Sequence, residues 1–335
     1  MGEGTDGAAG ESFLLTGALG CIGAWTVRTL VRSGAEVTVL DLASDPHRLR
    51  LILTPDELAQ VRFLVGDITD LATVEAALEV SRARQLIHLA ALQVPFCRAD
   101  PPLGARVNVL GTVNIFEAAR RAGLAHVVYA SSVAVYGSNE DYGDEINAGM
   151  VDDATALRPR TLYGVFKQAN EGTARVYWLE NGLSSIGLRP HTVYGPGRDQ
   201  GMTSGPTVAM LAAAAGFPYT VAFGGRFGMQ YARDVAETFV AAALAPHEGA
   251  DVFNLRGAVV EMREVIDAIE AAAPASRGQI RYDDIALPVP SGQADTGLAA
   301  LLGRVPNTPL AEGVAESIAI FKQALAQGLI ALPTA

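Results

Sequence analysis

The sequence predicts a doubly wound parallel α/β sheet with a smaller C-terminal lobe. Three observations carry this: short apolar runs alternate with helical segments from residue 12 to about 190, the first run ends in a glycine-rich turn that opens a helix, and the alternation stops after Gly195. Ser12–Thr16, Glu36–Leu40, Val61–Val65, Gln85–Leu89, His126–Ala130 and Ser184–Leu188 read as strands. They are apolar along their length rather than alternating, as strands covered on both faces must be. Between them Cys21–Arg32, Leu71–Val80, Leu103–Arg121 and Arg160–Asn181 carry the three-to-four-residue apolar spacing of helices. Strand, helix, strand in repetition means parallel neighbours joined by helical crossovers. Beyond Gly195, Gly/Pro-rich loops separate the helical stretches Pro206–Ala215, Asp234–Ala245, Met262–Ala272 and Pro309–Ala326. The expected division is a disordered lead-in over residues 1–11, a main domain over 12–190, and a lobe over 191–335 with some segments returning to the main domain. No repeat or charged linker separates the two parts.

Composition removes several function classes. Twenty-five basic against 36 acidic residues give a net charge of −11, which repels a phosphate backbone, so no nucleic acid is expected as a partner. No apolar run reaches the ~20 residues that cross a bilayer, and the acidic, glycine-rich start lacks the profile of a signal peptide. Asp6 stands where a myristoylation motif wants Ser or Thr. Cys21 and Cys97 cannot build a disulfide framework, and no Cys/His cluster has metal-ligand spacing. A cytoplasmic enzyme without a metal fits these bounds.

The first strand runs into Gly17-Ala18-Leu19-Gly20-Cys21-Ile22-Gly23 and then a helix. Three glycines spaced by three permit a tight turn, close approach of a pyrophosphate to the helix N-terminus, and helix-on-strand packing. The second strand ends at Asp41, 18 residues after Gly23, where an acid takes the adenosine ribose hydroxyls. This is a Rossmann-type dinucleotide cradle. An acid there repels a 2′-phosphate and favours NAD over NADP, with Arg48 in the following loop the residue that argues the other way.

Tyr163 and Lys167 lie one helical turn apart, which puts a phenol beside an ammonium. A phenol with a pKa of ~10 is a poor base at neutral pH, and a neighbouring cation favours its phenolate. The pair is a candidate proton-transfer device, and its expected pKa shift is downward.

The Gly17/Gly20/Gly23 spacing, Asp41, Gly66-Asp67-Ile68, His88-Leu89-Ala90-Ala91, Ser131-Ser132-Val133-Ala134-Val135-Tyr136-Gly137, Tyr163-x-x-x-Lys167 and Arg189-Pro190-His191-Thr192-Val193-Tyr194-Gly195-Pro196-Gly197 occur in that order. Together they resemble the extended short-chain dehydrogenase/reductases, the NAD-dependent sugar epimerase/dehydratase group, over residues 12–330. The resemblance implies that Gly17, Gly20, Cys21, Ile22 and Gly23 hold the cofactor pyrophosphate and Asp41 its ribose. It places Asp67 and Ile68 against the adenine and Leu89, Ala90, Ala91, Asn108, Pro190 and Val193 along the groove. It makes Ser132, Tyr163 and Lys167 catalytic, with Tyr163 moving the proton and Lys167 also holding the nicotinamide ribose. Gln93, Ser132, His191, Thr192 and Arg198 become the candidate substrate contacts. Ser131 could replace Ser132, and both could simply cap a turn. His88 is expected as a satisfied core histidine and Cys97 as a packing thiol in a substrate-bordering loop. The resemblance also implies a homodimer through the helices Leu103–Arg121 and Arg160–Asn181.

Dehydratases of the group carry an acid directly after the catalytic hydroxyl residue. Here Val133 and Ala134 stand there, and neither moves a proton, so sugar dehydration is not expected. The acids Glu140, Asp141, Asp144, Glu145, Asp152 and Asp153 read as a solvated surface. Thr192 to Asp199 is similar to the corresponding stretch of nucleotide-sugar uronate 4-epimerases, which makes Arg198 a carboxylate or phosphate clamp. Phe227-Gly228 and Leu287 to Asp295 lack the arginines with which relatives hold a sugar diphosphate, unless Arg226, Arg233 or Arg256 substitutes. The expected substrate is a small, sugar-like or sugar-acid-like secondary alcohol. An epimerase, 4-epimerase-like, is the leading reading; a net dehydrogenase of a non-nucleotide sugar or hydroxy acid is the alternative. A cofactor-binding regulator without turnover is the third, and the intact Ser132/Tyr163/Lys167 set argues against it.

Overall fold

A computed structural model describes residues 6–330. Its centre is a seven-stranded, wholly parallel sheet in the spatial order Ala250–Asn254, Ser184–Arg189, His126–Ala130, Gln85–His88, Ser12–Thr16, Glu36–Asp41, Val61–Val65. The first strand pairs with the second on one side, Leu14 opposite Thr38, and with the fourth on the other, Leu14 opposite Leu86. Chain order therefore reverses across Ser12–Thr16, and the crevice outside the strand ends at such a reversal is where doubly wound sheets bind ligands.

Because successive strand residues point to opposite faces, the sheet feeds two cores. Leu15, Val39, Ile87, Val128 and Ile186 bury one face, covered by Cys21–Arg32 and Ala232–Leu244. Leu14, Leu40, Leu86, Val127 and Tyr129 bury the other, under Leu71–Ser81, Gly111–Ala122 and Leu162–Asn181. In the lobe, Thr192–Tyr194, Arg226–Tyr231 and Ala258–Glu261 form a small sheet, and Gly205–Ala215, Met262–Ala272 and Leu310–Ala326 pack together. Trp25 joins lobe to sheet: its ring meets Tyr231 at 5.4 Å between centroids, and its Nε1 donates to the Pro196 carbonyl at 2.9 Å.

Several elements depart from the sequence reading. The seventh strand, Ala250–Asn254, was not expected; it is a half-buried edge strand and lacks the continuous apolar run of its neighbours. The expected helix Leu103–Arg121 is divided into Pro101–Ala105, a π-turn at Arg106–Leu110 and Gly111–Ala122. Gln93 to Cys97 is not a loop, since Val94–Ala99 is helical with Pro95 in its first turn. Of the lead-in, residues 1–5 lie outside the described residues, while Asp6–Ala8 forms a 3-10 turn rather than a disordered segment. Burial of Ala8 in the core and a Gly10 N–H to Gly34 carbonyl bond fasten it. Asp153 is also not on a solvated surface: it is half-buried, accepts from the Asn254 N–H at 2.6 Å, and burial raises its carboxyl above the usual range.

Candidate active site

A cleft of about 660 Å³ opens at the crevice between the first and fourth strands. Its cofactor end is built on the glycine turn. Gly17 has φ +72°, and a Cβ there would run into the Ala90 nitrogen; a Cβ on Gly23 would stand 2.5 Å from Ala18 Cα. Those contacts admit only glycine and bring the first and fourth strand ends together. The helix Cys21–Arg32 begins at Gly20 with no side-chain cap and no acid in its first turn. Its free N–H groups face the cleft and favour an anion. Asp41 lines the same end and accepts from the Leu19 N–H at 3.0 Å through Oδ2. An open cradle, an uncapped helix start and an acid at the second strand end fit a dinucleotide lacking a 2′-phosphate. Arg48 does not weaken that fit: its Nη1 donates to the Leu19 carbonyl at 2.8 Å and its Nε and Nη2 grip Asp199.

Ile68 is buried beneath Gly111, and Asp67 turns its carboxylate to the Thr69 N–H at 2.8 Å. Both line the groove with Leu89, Ala90, Ala91, Pro190 and Val193. Asn108 is the exception among the expected cofactor contacts. Its Oδ1 accepts from the Leu92 N–H at 2.7 Å and its Nδ2 donates to the Leu92 carbonyl at 2.8 Å, so both amide ends are spent behind the groove wall. The π-turn that carries it aims it at that backbone.

The reacting end brings Ser132, Tyr163 and Lys167 together. Thr161 caps the helix Leu162–Asn181 by accepting from the Gly164 N–H at 3.0 Å, which seats Tyr163 in the first turn. The Ser132 hydroxyl lines the cleft with Tyr163 and accepts from the Ala134 N–H at 3.1 Å. It therefore caps a turn and borders the same cleft as the phenol. Ser131 points away and donates to Glu171 Oε1 at 2.5 Å, so it does not take the catalytic place. Lys167 is buried, its Nζ donating to the Ala130 carbonyl at 2.6 Å and lying 5.7 Å from the Tyr163 ring centroid.

The electrostatics correct one expectation. Tyr163 stands above, not below, its ordinary value, because burial raises it more than the Ser132 hydrogen bond and the Arg198 charge lower it. Lys167 is pushed down to about 8 by burial, with Cys97 and Glu171 pulling it upward. Its ammonium bonds a carbonyl and sits over the ring.

Two histidines are spent internally. His88 lies between the Thr16 hydroxyl at 2.6 Å and the Thr112 hydroxyl at 3.1 Å, and burial takes it down to about 3. His191 borders the cleft, yet its Nδ1 accepts from the Thr192 N–H at 2.8 Å, so its Nε2 carries the proton donated to the Pro290 carbonyl at 2.8 Å. Burial holds it neutral at about 4. Its role is to pin the Pro290 segment, from which Leu287 and Val289 reach the cleft.

Gln93, Thr192 and Arg198 line the substrate side. Arg198 donates from Nη1 to Gln93 Oε1 at 3.3 Å and from Nη2 to the Thr203 hydroxyl at 3.0 Å. Sequence reasoning missed Leu92, Met202, Thr203, Leu287 and Val289 on this wall; only the nearness of Met202 and Thr203 to Arg198 could have signalled them. Val133 and Ala134 line it too and present no proton-transfer group. Arg226, Arg233 and Arg256 lie outside the cleft, Arg233 paired with Glu316 at 2.8 Å. Among the described residues no His/Cys/Asp/Glu group could hold a metal, and no helix is long and apolar enough to cross a membrane.

A dinucleotide cradle continuous with a cleft that gathers a serine, a tyrosine and a buried lysine belongs to an NAD-dependent extended short-chain dehydrogenase/reductase. The sequence model of the NAD dependent epimerase/dehydratase family matches residues 13–255, and the chain belongs to that family. It is 30% identical to a UDP-glucose 4-epimerase of Mycolicibacterium smegmatis, over 92% of this chain and 98% of that one. Among solved structures it is similar to the UDP-glucose 4-epimerase of Thermus thermophilus in complex with NAD, at TM-score 0.78 and 28% identity, covering 93% of this chain and 99% of that one. A partial consensus L-threonine 3-dehydrogenase superimposes with TM-score 0.80 at 26% identity, with the same coverages. The cofactor is NAD, and the relatives include both epimerases and a net dehydrogenase.

Proposed function

We propose that this enzyme performs reversible hydride transfer at a secondary alcohol of a sugar acid or similar small polyol acid, as a 4-epimerase-like catalyst. The carrying observation is Arg198. Among the described residues it is not paired to a carboxylate; it lines the cleft and is near enough to Tyr163 to lower its pKa. A substrate carboxylate clamped there presents a neighbouring carbinol to the phenol. Tyr163 takes the hydroxyl proton in its phenolate form, which burial opposes and the Arg198 charge favours; Ser132 hydrogen-bonds the oxygen as it becomes a carbonyl, and the buried Lys167 supplies positive charge beneath the ring. Bound NAD supplies the hydride acceptor and, on reversal, the donor. In epimerisation the ketone turns over, the hydride returns to the opposite face of the same carbon and Tyr163 returns the proton to its oxygen, so no net oxidation occurs.

The absence of Arg226, Arg233 and Arg256 from the cleft supports a substrate without a nucleotide diphosphate. The same observation favours the second reading, a net dehydrogenase, since an unanchored ketone escapes. Incubation with NAD and a panel of uronates, aldonates and nucleotide sugars separates the readings: accumulating NADH marks a dehydrogenase, and altered configuration without NADH marks an epimerase. Arg198→Ala is expected to raise KM for acidic substrates by ~10–100-fold, the worth of a charge-assisted hydrogen bond. Micromolar affinity for UDP-sugars would overturn the non-nucleotide reading.

A homodimer completes the proposal. Leu162, Val165, Ala169, Gly172, Val176 and Leu179 are all exposed and recur at three- and four-residue spacing along one face of Leu162–Asn181. Such an apolar seam suits packing against its own copy. Free thiols at Cys21 and Cys97 support a cytoplasmic setting, and the substrate class places the enzyme in carbohydrate metabolism.

A further inference from the structure

We infer that Asp199 and Arg48 form a strap that retains NAD in its groove between the two hydride steps. Arg48 lies in the short helix His47–Arg50, after the second strand; Asp199 lies in the loop that leaves the lobe strand Thr192–Tyr194. The two are 151 residues apart; Arg48 lines the cleft beside the glycine turn, and Asp199 directly follows the cleft-lining Arg198. Their junction is two-pronged: Arg48 Nε reaches the two Asp199 oxygens at 3.1 and 3.0 Å, and Nη2 reaches Oδ1 at 2.8 Å. His47 Nε2 stands 3.8 Å from the same carboxylate.

The strap is anchored at both ends. Arg48 is also fixed to the Leu19 carbonyl inside the glycine turn, and the Leu19 N–H is held by Asp41, so the pair is continuous with the groups that face the cofactor. On the other side the loop is pinned at Pro196 by Trp25, and Arg198, directly before Asp199, reaches inward to Gln93 and Thr203. Gly201 lies so close to Gln93 that a Cβ would collide with its Oε1, which keeps the loop flat on the cleft. One dipeptide thus ties the cofactor side with its acid and the substrate side with its base. A dinucleotide seated on the glycine turn has the Arg48–Asp199 bridge across its exit, and the bridge must part for exchange. The Arg48 side chain is 14% exposed and that of Asp199 49%, so the bridge is firm at its base and accessible to solvent at its tip.

The test needs no substrate, so its outcome is independent of the reading of the substrate pocket. The enzyme is loaded with NADH, mixed with excess NAD, and the loss of bound-NADH fluorescence gives the dissociation rate. Asp199→Asn is expected to raise that rate about tenfold, the worth of a partly exposed two-pronged charge contact, while the melting temperature without cofactor falls by no more than ~3 °C. Arg48→Gln, changed from the other side of the bridge, is expected to raise it at least as much. The parent rate should climb between low and ~0.5 M salt as the bridge is screened, and the Asp199→Asn rate should climb less. Rates within twofold of the parent in both variants, or equal salt dependence in parent and Asp199→Asn, would overturn the strap.

Discussion

The buried pair Arg189–Glu171 behind the proposed catalytic residues yields the sharpest stability prediction. Arg189 Nε and Nη2 reach the two Glu171 oxygens at 2.9 and 2.8 Å, with side-chain exposures of only 5% and 8%. Burial alone would push the guanidinium pKa down; the carboxylate more than offsets that and leaves it raised. Glu171→Ala strands the cation, leaving only the Tyr136 hydroxyl and the Asp153 carbonyl on Nη1. It also deprives the Ser131 hydroxyl of its acceptor. Removing one partner of a buried pair costs about 3–5 kcal/mol. At ~2 °C per kcal/mol for a chain of this size, the melting temperature should fall by ~6–10 °C. Urea unfolding followed by circular dichroism, without cofactor, reads the free energy directly. The double variant Glu171→Met with Arg189→Met removes both charges and should recover most of the loss. A loss below ~1 kcal/mol in Glu171→Ala, or a double variant no better than the single, would refute an uncompensated charge as the cause.

Two further outcomes follow from the site. Lys167 titrates at about 8 in the folded protein, below the free side chain, so the unfolded chain takes up the proton first as pH falls. Stability without cofactor should therefore decline from pH ~10.4 down to about 8 and be flat below, a slope that Lys167→Met should abolish in pH-dependent melting. On the helix Leu162–Asn181, Val165→Arg with Val176→Arg places two charges in the exposed seam. Light scattering should then give a monomeric mass from a dimeric parent, and a monomeric parent would end that proposal.

What could be read from sequence follows how local the cause was. Ser12–Thr16, Val61–Val65 and His126–Ala130 matched residue for residue, because an apolar run between turn residues is a nearest-neighbour signal. The glycine cradle was legible from its spacing between strand and helix; Gly20 and Gly23 answer to contacts within the turn, whereas the need for Gly17 comes from Ala90, far along the chain. Ala250–Asn254 was not, since its strand character comes from pairing with Ser184–Arg189 some 60 residues earlier. The fates of Asn108 and His191 were equally out of reach, because their polar atoms are consumed by Leu92 and Pro290, contacts that exist only after folding. The upward shift of Tyr163 belongs to the same class: spacing announced the cation, but burial decides the sign.

The late position of the strand Ala250–Asn254 reaches into biosynthesis. Ser184–Arg189 is buried along its whole length, and Ala250–Asn254 is what covers its outer edge. During synthesis at ~5–20 residues per second, that edge waits ~3–13 s for its partner. The helix Ala232–Leu244, which shields Cys21–Arg32, is also among the residues still to come. A chain stopped at residue 190 would hold its cofactor cradle and its Ser132/Tyr163/Lys167 set while presenting an open apolar strand edge. The nascent enzyme passes through that aggregation-prone form each time it is made.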